Sequence, residues 1–350
     1  MTLTETDIDA RVEKLHQFGL VDLHYDTGSH LYEHRQASGV LARDFEQDYL
    51  NGGVGVIGAA VYLWDSVVPE LSLRNSLDQI ARIYKEVETT PRFRICRSYD
   101  EIIAARRMQK IAFLLTFEGI EPIGLDLDLI RVFYELGVRI IGLTHVRRNY
   151  AGAGGAFGRG LVSPKDGLSR FGADVVRECE RLGIVVDVAH INPQGFEDVM
   201  AVATKPVIIT HTNARRYHDI ERNSTDEQAR AISHIGGVIG VNAMNLGFEK
   251  AEFTLDRYVD HIEHFASIAG IDSVGIGFDF LEPSYRYWGE AQKALFTNTF
   301  VESKFVPDLL NHGHTKNVTR RLLQRGFSDD DVEKILYGNF MRVLRQILKR

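Results

Sequence analysis

The chain has 350 residues, 44% of them hydrophobic and 25% charged, with a formal charge of −7 and a pI near 6.0. That balance suits a soluble protein with a sizeable core, and the lack of a basic stripe speaks against nucleic acid or an acidic membrane surface as a partner. Cys96 and Cys179 stand in unrelated contexts and form neither a C-x-x-C pair nor a disulfide framework, as expected of a reduced, cytoplasmic protein.

The first nineteen residues are polar and helix-patterned, without the charged start and apolar run of a secretion signal. Eight apolar, strand-like runs follow, beginning near residues 19, 54, 111, 138, 184, 207, 237 and 273, all too short to span a membrane. Helical patterns such as LRNSLDQIARIYKEVE and TLDRYVDHIEHFASIAG lie between them. Near-continuous Val/Ile/Leu runs suit strands buried on both faces, and intervening helices suit parallel crossovers. An open, doubly wound sheet uses the same alternation, but it concentrates its polar residues near one switch point. Here they cap many different runs, as in a closed (β/α)8 barrel of the TIM type.

Residues 19–280 are therefore expected to form the barrel of one domain spanning 1–350. Ser224 or Thr225 can cap a helix that Gly236-Gly237 ends. Residues 281–318, with Tyr285, Tyr287 and Trp288, fit no strand–helix unit and are expected to pass over the mouth. Two helices, near 316–325 and 329–347, close the chain.

Six of the eight runs end in a group able to bind metal or move a proton: His24 and Asp26, Glu118, His145, His190, His211 and Asp279. Residues two apart in a strand share a face, so His24 and Asp26 can reach one ion. H-x-D alone is a weak signal and equally describes a surface pair. Imidazoles on consecutive strands, His190 and His211, make a natural zinc pair. Glu118 has two oxygens with which to bridge two ions, a recurring hydrolase design with metals roughly 3.5–4 Å apart; its bland alternative is a salt bridge to an arginine. His145 is a candidate oxyanion donor and Asp279 a candidate proton carrier or further ligand. His261 and His264 read as helix residues and His312 and His314 as loop polarity, while His30, His34, His218 and His234 are given no role. The glycine-rich AGAGGAFGRG (151–160) departs from G-x-G-x-x-G and reads as a mobile loop rather than a phosphate cradle.

With these residues assembled, the chain resembles the membrane (renal) dipeptidase family, zinc enzymes on an amidohydrolase-like barrel. The most specific stretch is HTNARRYHDIERNSTDEQARAISHIGGVIGVN (211–242), supported by DLHYD (22–26), FEG (117–119), LTH with Asn149, RLGIVVDVAH (181–190) and GNFMRV (338–343). The resemblance implies two Zn2+ ions bridged by Glu118, one held with His24 and Asp26 and the other with His190 and His211. It makes His145 the group that polarises the carbonyl, Asp279 the acid/base, and Arg222 the receiver of the substrate's carboxylate. A metal-bridged hydroxide would then hydrolyse the peptide bond of a dipeptide. Dimerisation is an expectation of the resemblance alone.

Two departures bear on substrate. The last strand reads Gly277-Phe278-Asp279-Phe280-Leu281 where relatives commonly read G-S-D-F-D-G, and Glu121 stands where a histidine is frequent. They motivate a second expectation, another small amide such as an N-acyl amino acid or lactam. A third, from a different class, is a non-catalytic, zinc-stabilised binding protein.

Overall fold

All eight apolar runs become parallel strands buried along their whole length. A computed structural model describes residues 5–158, 160–244, 254–291, 293–294 and 305–349. The strands are β1 (Leu20–Tyr25), β2 (Val54–Val61), β3 (Phe93–Ile95), β4 (Ile111–Glu118), β5 (Val138–Gly142), β6 (Val185–Asp187), β7 (Ile208–Thr212), β8 (Val238–Val241) and β9 (Val274–Ile276). β1 pairs with both β2 and β9, and β2 pairs with β4, so eight strands close into a parallel ring with helices outside. This is a (β/α)8 barrel. The ninth strand, β3, lies outside the ring beside the start of β4, at Phe93↔Ile111 and Ile95↔Phe113. Three residues, Phe-Arg-Ile, carry too little pattern to be seen in sequence.

Seven ring strands send apolar side chains into one interior layer, among them Val21, Val56, Leu114, Ile140, Val185, Ile208 and Val238. Phe340, Leu344 and Ile347, from the helix Asn339–Ile347, pack against that layer and close the barrel floor. The helix expected over 329–347 is present, with a π-helical turn at Lys334–Gly338 in its middle. At the opposite end, Thr225 caps the helix Asp226–His234 through a full capping box with Gln228. Among the described residues no helix is long and apolar enough to cross a membrane.

The stretch after β9 begins with a four-residue helix, Glu282–Tyr285, and brings Trp288 to 6.1 Å, centroid to centroid, from Trp64 just beyond β2. Its residues 295–304 lie outside the described residues. His312 is not loop polarity. Buried to 1% exposure, it puts Nε2 2.8 Å from Asp22 Oδ2. The same carboxylate accepts the backbone N–H groups of His24 and Phe278. One buried acid thus fastens β1, the end of β9 and the returning chain together.

Candidate metal centre

Glu118 is the last residue of β4, and the inward parity of Ala112 and Leu114 carries up the strand to it. Simple alternation does not place His24 and His211. Leu23 and Ile208 belong to the inner layer, so strict alternation turns the site histidines away from Ile208's and Leu23's face. Register shifts between Asp22 and Tyr25 and between Ile209 and Thr212 fall at these two residues. Such irregularities re-aim side chains at barrel rims. His190 and Asp279 lie just past β6 and β9 in left-handed backbone, at φ +67° and +54°.

The ligating atoms converge on Glu118. Its Oε1 lies 2.8 Å from His190 Nε2, 3.6 Å from both His24 Nε2 and His211 Nε2, and 3.9 Å from His145 Nε2. His190 Nε2 and His211 Nε2 are 2.7 Å apart. Asp26 Oδ1 is 3.8 Å from His24 Nε2, and Asp279 stands 3.7 Å from His24 and 3.9 Å from His211. The donor atoms of His24, Asp26 and Glu118 form one group that fits a cation, as do those of Glu118, His145 and His190, and of His24, His211 and Asp279. The arginine salt bridge entertained for Glu118 is absent among the described residues; imidazoles surround it instead.

The electrostatics fit metal. Burial pushes His24 down to about 3 and His145, His190 and His211 well below the usual imidazole range, so all four are neutral and offer lone pairs. Burial, then the charges of Asp26 and Asp279, drives Glu118 well above the carboxylate range. Asp26 is raised by burial and by Asp279. His24 Nε2 and Asp26 Oδ1 are buried without a hydrogen-bond partner among the described residues. Crowded carboxylates, neutral imidazoles and orphaned donor atoms are costly in a bare protein and suit divalent cations.

Supporting contacts fix the candidate ligands. Thr210 Oγ1 donates its single hydrogen to Asp187 Oδ2 at 2.6 Å and so must accept from His211 Nδ1 at 2.8 Å, leaving a lone pair on Nε2. Asp187 Oδ1 in turn accepts from the backbone N–H groups of Ala189 and Thr210. Asn242 Nδ2 donates to Asp279 Oδ2 at 3.1 Å. Burial pushes Asp279 up to about 7, with Arg222 and the Asn242 bond acting against the rise. Sequence reasoning passed over Asp187 and Thr210, although Asp187 lies three residues before His190 in VDVAH and Thr210 directly before His211 in ITH.

Arg222 is 5% exposed; its Nη2 lies 3.3 Å from His190 Nε2 and its Nε is unpartnered among the described residues. Among the described residues it forms no ion pair and faces the site. Glu121, the residue at a departure, accepts from Arg147 Nε at 3.0 Å, and Arg147 also donates to Leu63 O at 2.7 Å. The glycine-rich stretch is a loop, and its Gly154 and Gly155 lie against the site. Gly155 N–H donates to His190 O at 2.6 Å, and a Cβ on Gly154 would meet His145 O at 1.8 Å. Arg159 of that stretch lies outside the described residues.

The architecture is shared with solved structures. An amidohydrolase from Pseudomonas aeruginosa superposes with TM-score 0.81 over 96% of this chain and 99% of its own, at 24% identity. A metallopeptidase from Rhodobacter sphaeroides, solved with a phosphinate mimic of the dipeptide L-Ala-D-Ala, gives 0.80 over 94% and 99%, at 22% identity. In sequence the chain is 28% identical over 312 residues to dipeptidase tcpJ of Claviceps purpurea, covering 85% of this chain and 68% of that protein. Other curated relatives are spanned over as little as 50% or 61% of their length. The family pattern of the membrane dipeptidases matches residues 10–288, and the chain belongs to that family of metallo-dipeptidases, peptidase family M19.

Proposed function

We propose that the chain hydrolyses the peptide bond of dipeptides with two zinc ions, one held by His24, Asp26 and Glu118 and the other by Glu118, His190 and His211. The observation that carries this reading is the convergence of four neutral imidazoles on one buried carboxylate oxygen, Glu118 Oε1, with Asp26 and Asp279 alongside. Zinc bound there supplies water activation and polarisation of the scissile carbonyl.

The chain's own groups supply the rest. Asp279, at about 7, can take a proton from the attacking water and return it to the leaving amine near neutral pH. Asn242 keeps its carboxylate turned towards the site. His145, neutral and with Nδ1 unpartnered among the described residues, can donate to the oxygen on which charge develops. The buried guanidinium of Arg222 suits the free carboxylate of a short substrate and confines hydrolysis to the bond beside it.

The reading is tested by amino-acid release from L,L- and L,D-dipeptides by zinc-reconstituted protein, beside a chelated control and N-acylated analogues. Chelator-sensitive release from dipeptides alone is the expected result. Release from N-acyl amino acids but not dipeptides moves the assignment to another small amide; zinc binding with no hydrolysis of any amide leaves a zinc-stabilised binding protein.

A further inference from the structure

The chain has two tryptophans, and they meet at the mouth: the rings of Trp64 and Trp288 are 6.1 Å apart in an edge-on arrangement. Trp64 is 37% exposed, unusual for so large an apolar ring beside a catalytic mouth. From it an aromatic path runs inward, to Tyr62 at 5.0–5.1 Å on either side and so to His145.

Glu33 stands at its rim. Trp64 Nε1 donates to Glu33 Oε1 at 2.9 Å, which fixes the indole by its edge. The carboxylate is half-buried and acts electrostatically on the proposed ligand Asp26, so it belongs to the same mouth. Among the described residues no lysine or arginine forms an ion pair with it; burial raises it above the ordinary carboxylate range, with the Trp64 and Trp288 N–H groups and the charge of neighbouring His34 acting against the rise. A carboxylate without a lysine or arginine partner, joined to two indoles of which one packs edge-on against Tyr62, is a donor set that suits an organic cation, through charge and through the rings.

We infer that Glu33, Trp64, Trp288 and Tyr62 form a subsite for a cationic side chain, a primary ammonium or guanidinium, on the N-terminal residue of the substrate. This rests on the dipeptidase reading. Arg222 would take the carboxylate at one end, and the Asp26 side of the centre, where Glu33 lies, is left for the other residue.

The test compares Lys-Ala with norleucine-Ala, the same side chain without the ammonium, on the zinc-loaded protein and its Glu33→Gln variant. Wild type is expected to favour Lys-Ala at least about tenfold in kcat/KM, and E33Q to bring the ratio towards one. Because both tryptophans lie in the subsite, Lys-Ala should also shift intrinsic tryptophan emission at lower concentration than norleucine-Ala does. Equal hydrolysis of the two peptides by wild type overturns the subsite alone and needs no variant to fold. A lysine preference that survives in a folded E33Q protein overturns the role of Glu33. No hydrolysis of either peptide with zinc bound overturns the dipeptidase reading and this subsite with it.

Discussion

The two ends of the barrel are built on opposite principles. At the floor, side chains from seven strands meet Phe340, Leu344 and Ile347 in a dry apolar layer. At the mouth, three carboxylates and four imidazoles crowd within a few ångströms, and burial shifts every imidazole and carboxylate of that set away from its ordinary range. The floor gains free energy by excluding water. The mouth spends it on holding groups that are uncomfortable until a cation arrives. One ring of strands serves both ends, so stability and chemistry should be separable by substitution.

The sharpest break of that contrast is Glu118→Gln. It should lower kcat/KM by about 10³-fold or more and weaken zinc retention. In the metal-free protein the same change should not lower the melting temperature, because burial and the neighbouring acids already disfavour the ionised form of Glu118 and an amide cannot ionise. A metal-free variant less stable than wild type would contradict the account of the mouth. Leu344→Ala at the floor should do the reverse, costing about 2–5 kcal/mol in denaturant titration while kcat per folded molecule stays unchanged. Stripping zinc with a chelator should lower wild-type stability by about 4 kcal/mol relative to free zinc near 1,000 times Kd. That difference should largely vanish in the Glu118→Gln protein, as calorimetry with and without chelator would show.

Thr210→Val keeps the shape beside His211 but removes the hydroxyl that orders its tautomer. Zinc affinity should fall by about 10–100-fold, and Thr210→Ser should restore it. The smallest expected effect lies away from both ends. His16 packs between Thr319 and the Gly53 carbonyl, and burial lowers it from 6.5 to about 4. Between those values the unfolded chain binds a proton that the native protein does not, so stability should fall as pH drops from about 6.5 to about 4. The loss amounts to roughly 2–3 kcal/mol, and His16→Gln should flatten the pH profile of the melting temperature in that window.

The ring was legible in the sequence because strands buried on both faces cannot hide their apolar character. Their ends were legible for the complementary reason, since a histidine or carboxylate after such a run needs a partner. What escaped was whatever depended on a contact distant in sequence. Nothing near His312 reveals that it meets Asp22, so it read as loop polarity. The register shifts that turn His24 and His211 inward leave no mark in a period-two pattern. Arg222 came forward only through the family resemblance, because a lone arginine in a polar loop looks like any other. The glycine-rich stretch gives no sign in sequence of its contacts with the carbonyl of His190 and the backbone of His145, because these come from other parts of the chain.

The helix that plugs the barrel floor has a consequence for how the protein is made. Asn339–Ile347 follows well after Ile276, where the last ring strand ends, so during translation all eight strands leave the ribosome before their plug. Until it arrives, the interior layer built on Val21, Leu114 and Ile208 has no cover at its lower end. The nascent chain therefore passes through an interval with a ring of sticky residues open to solvent, when a chaperone would find its best target and when self-association would compete most strongly with closure.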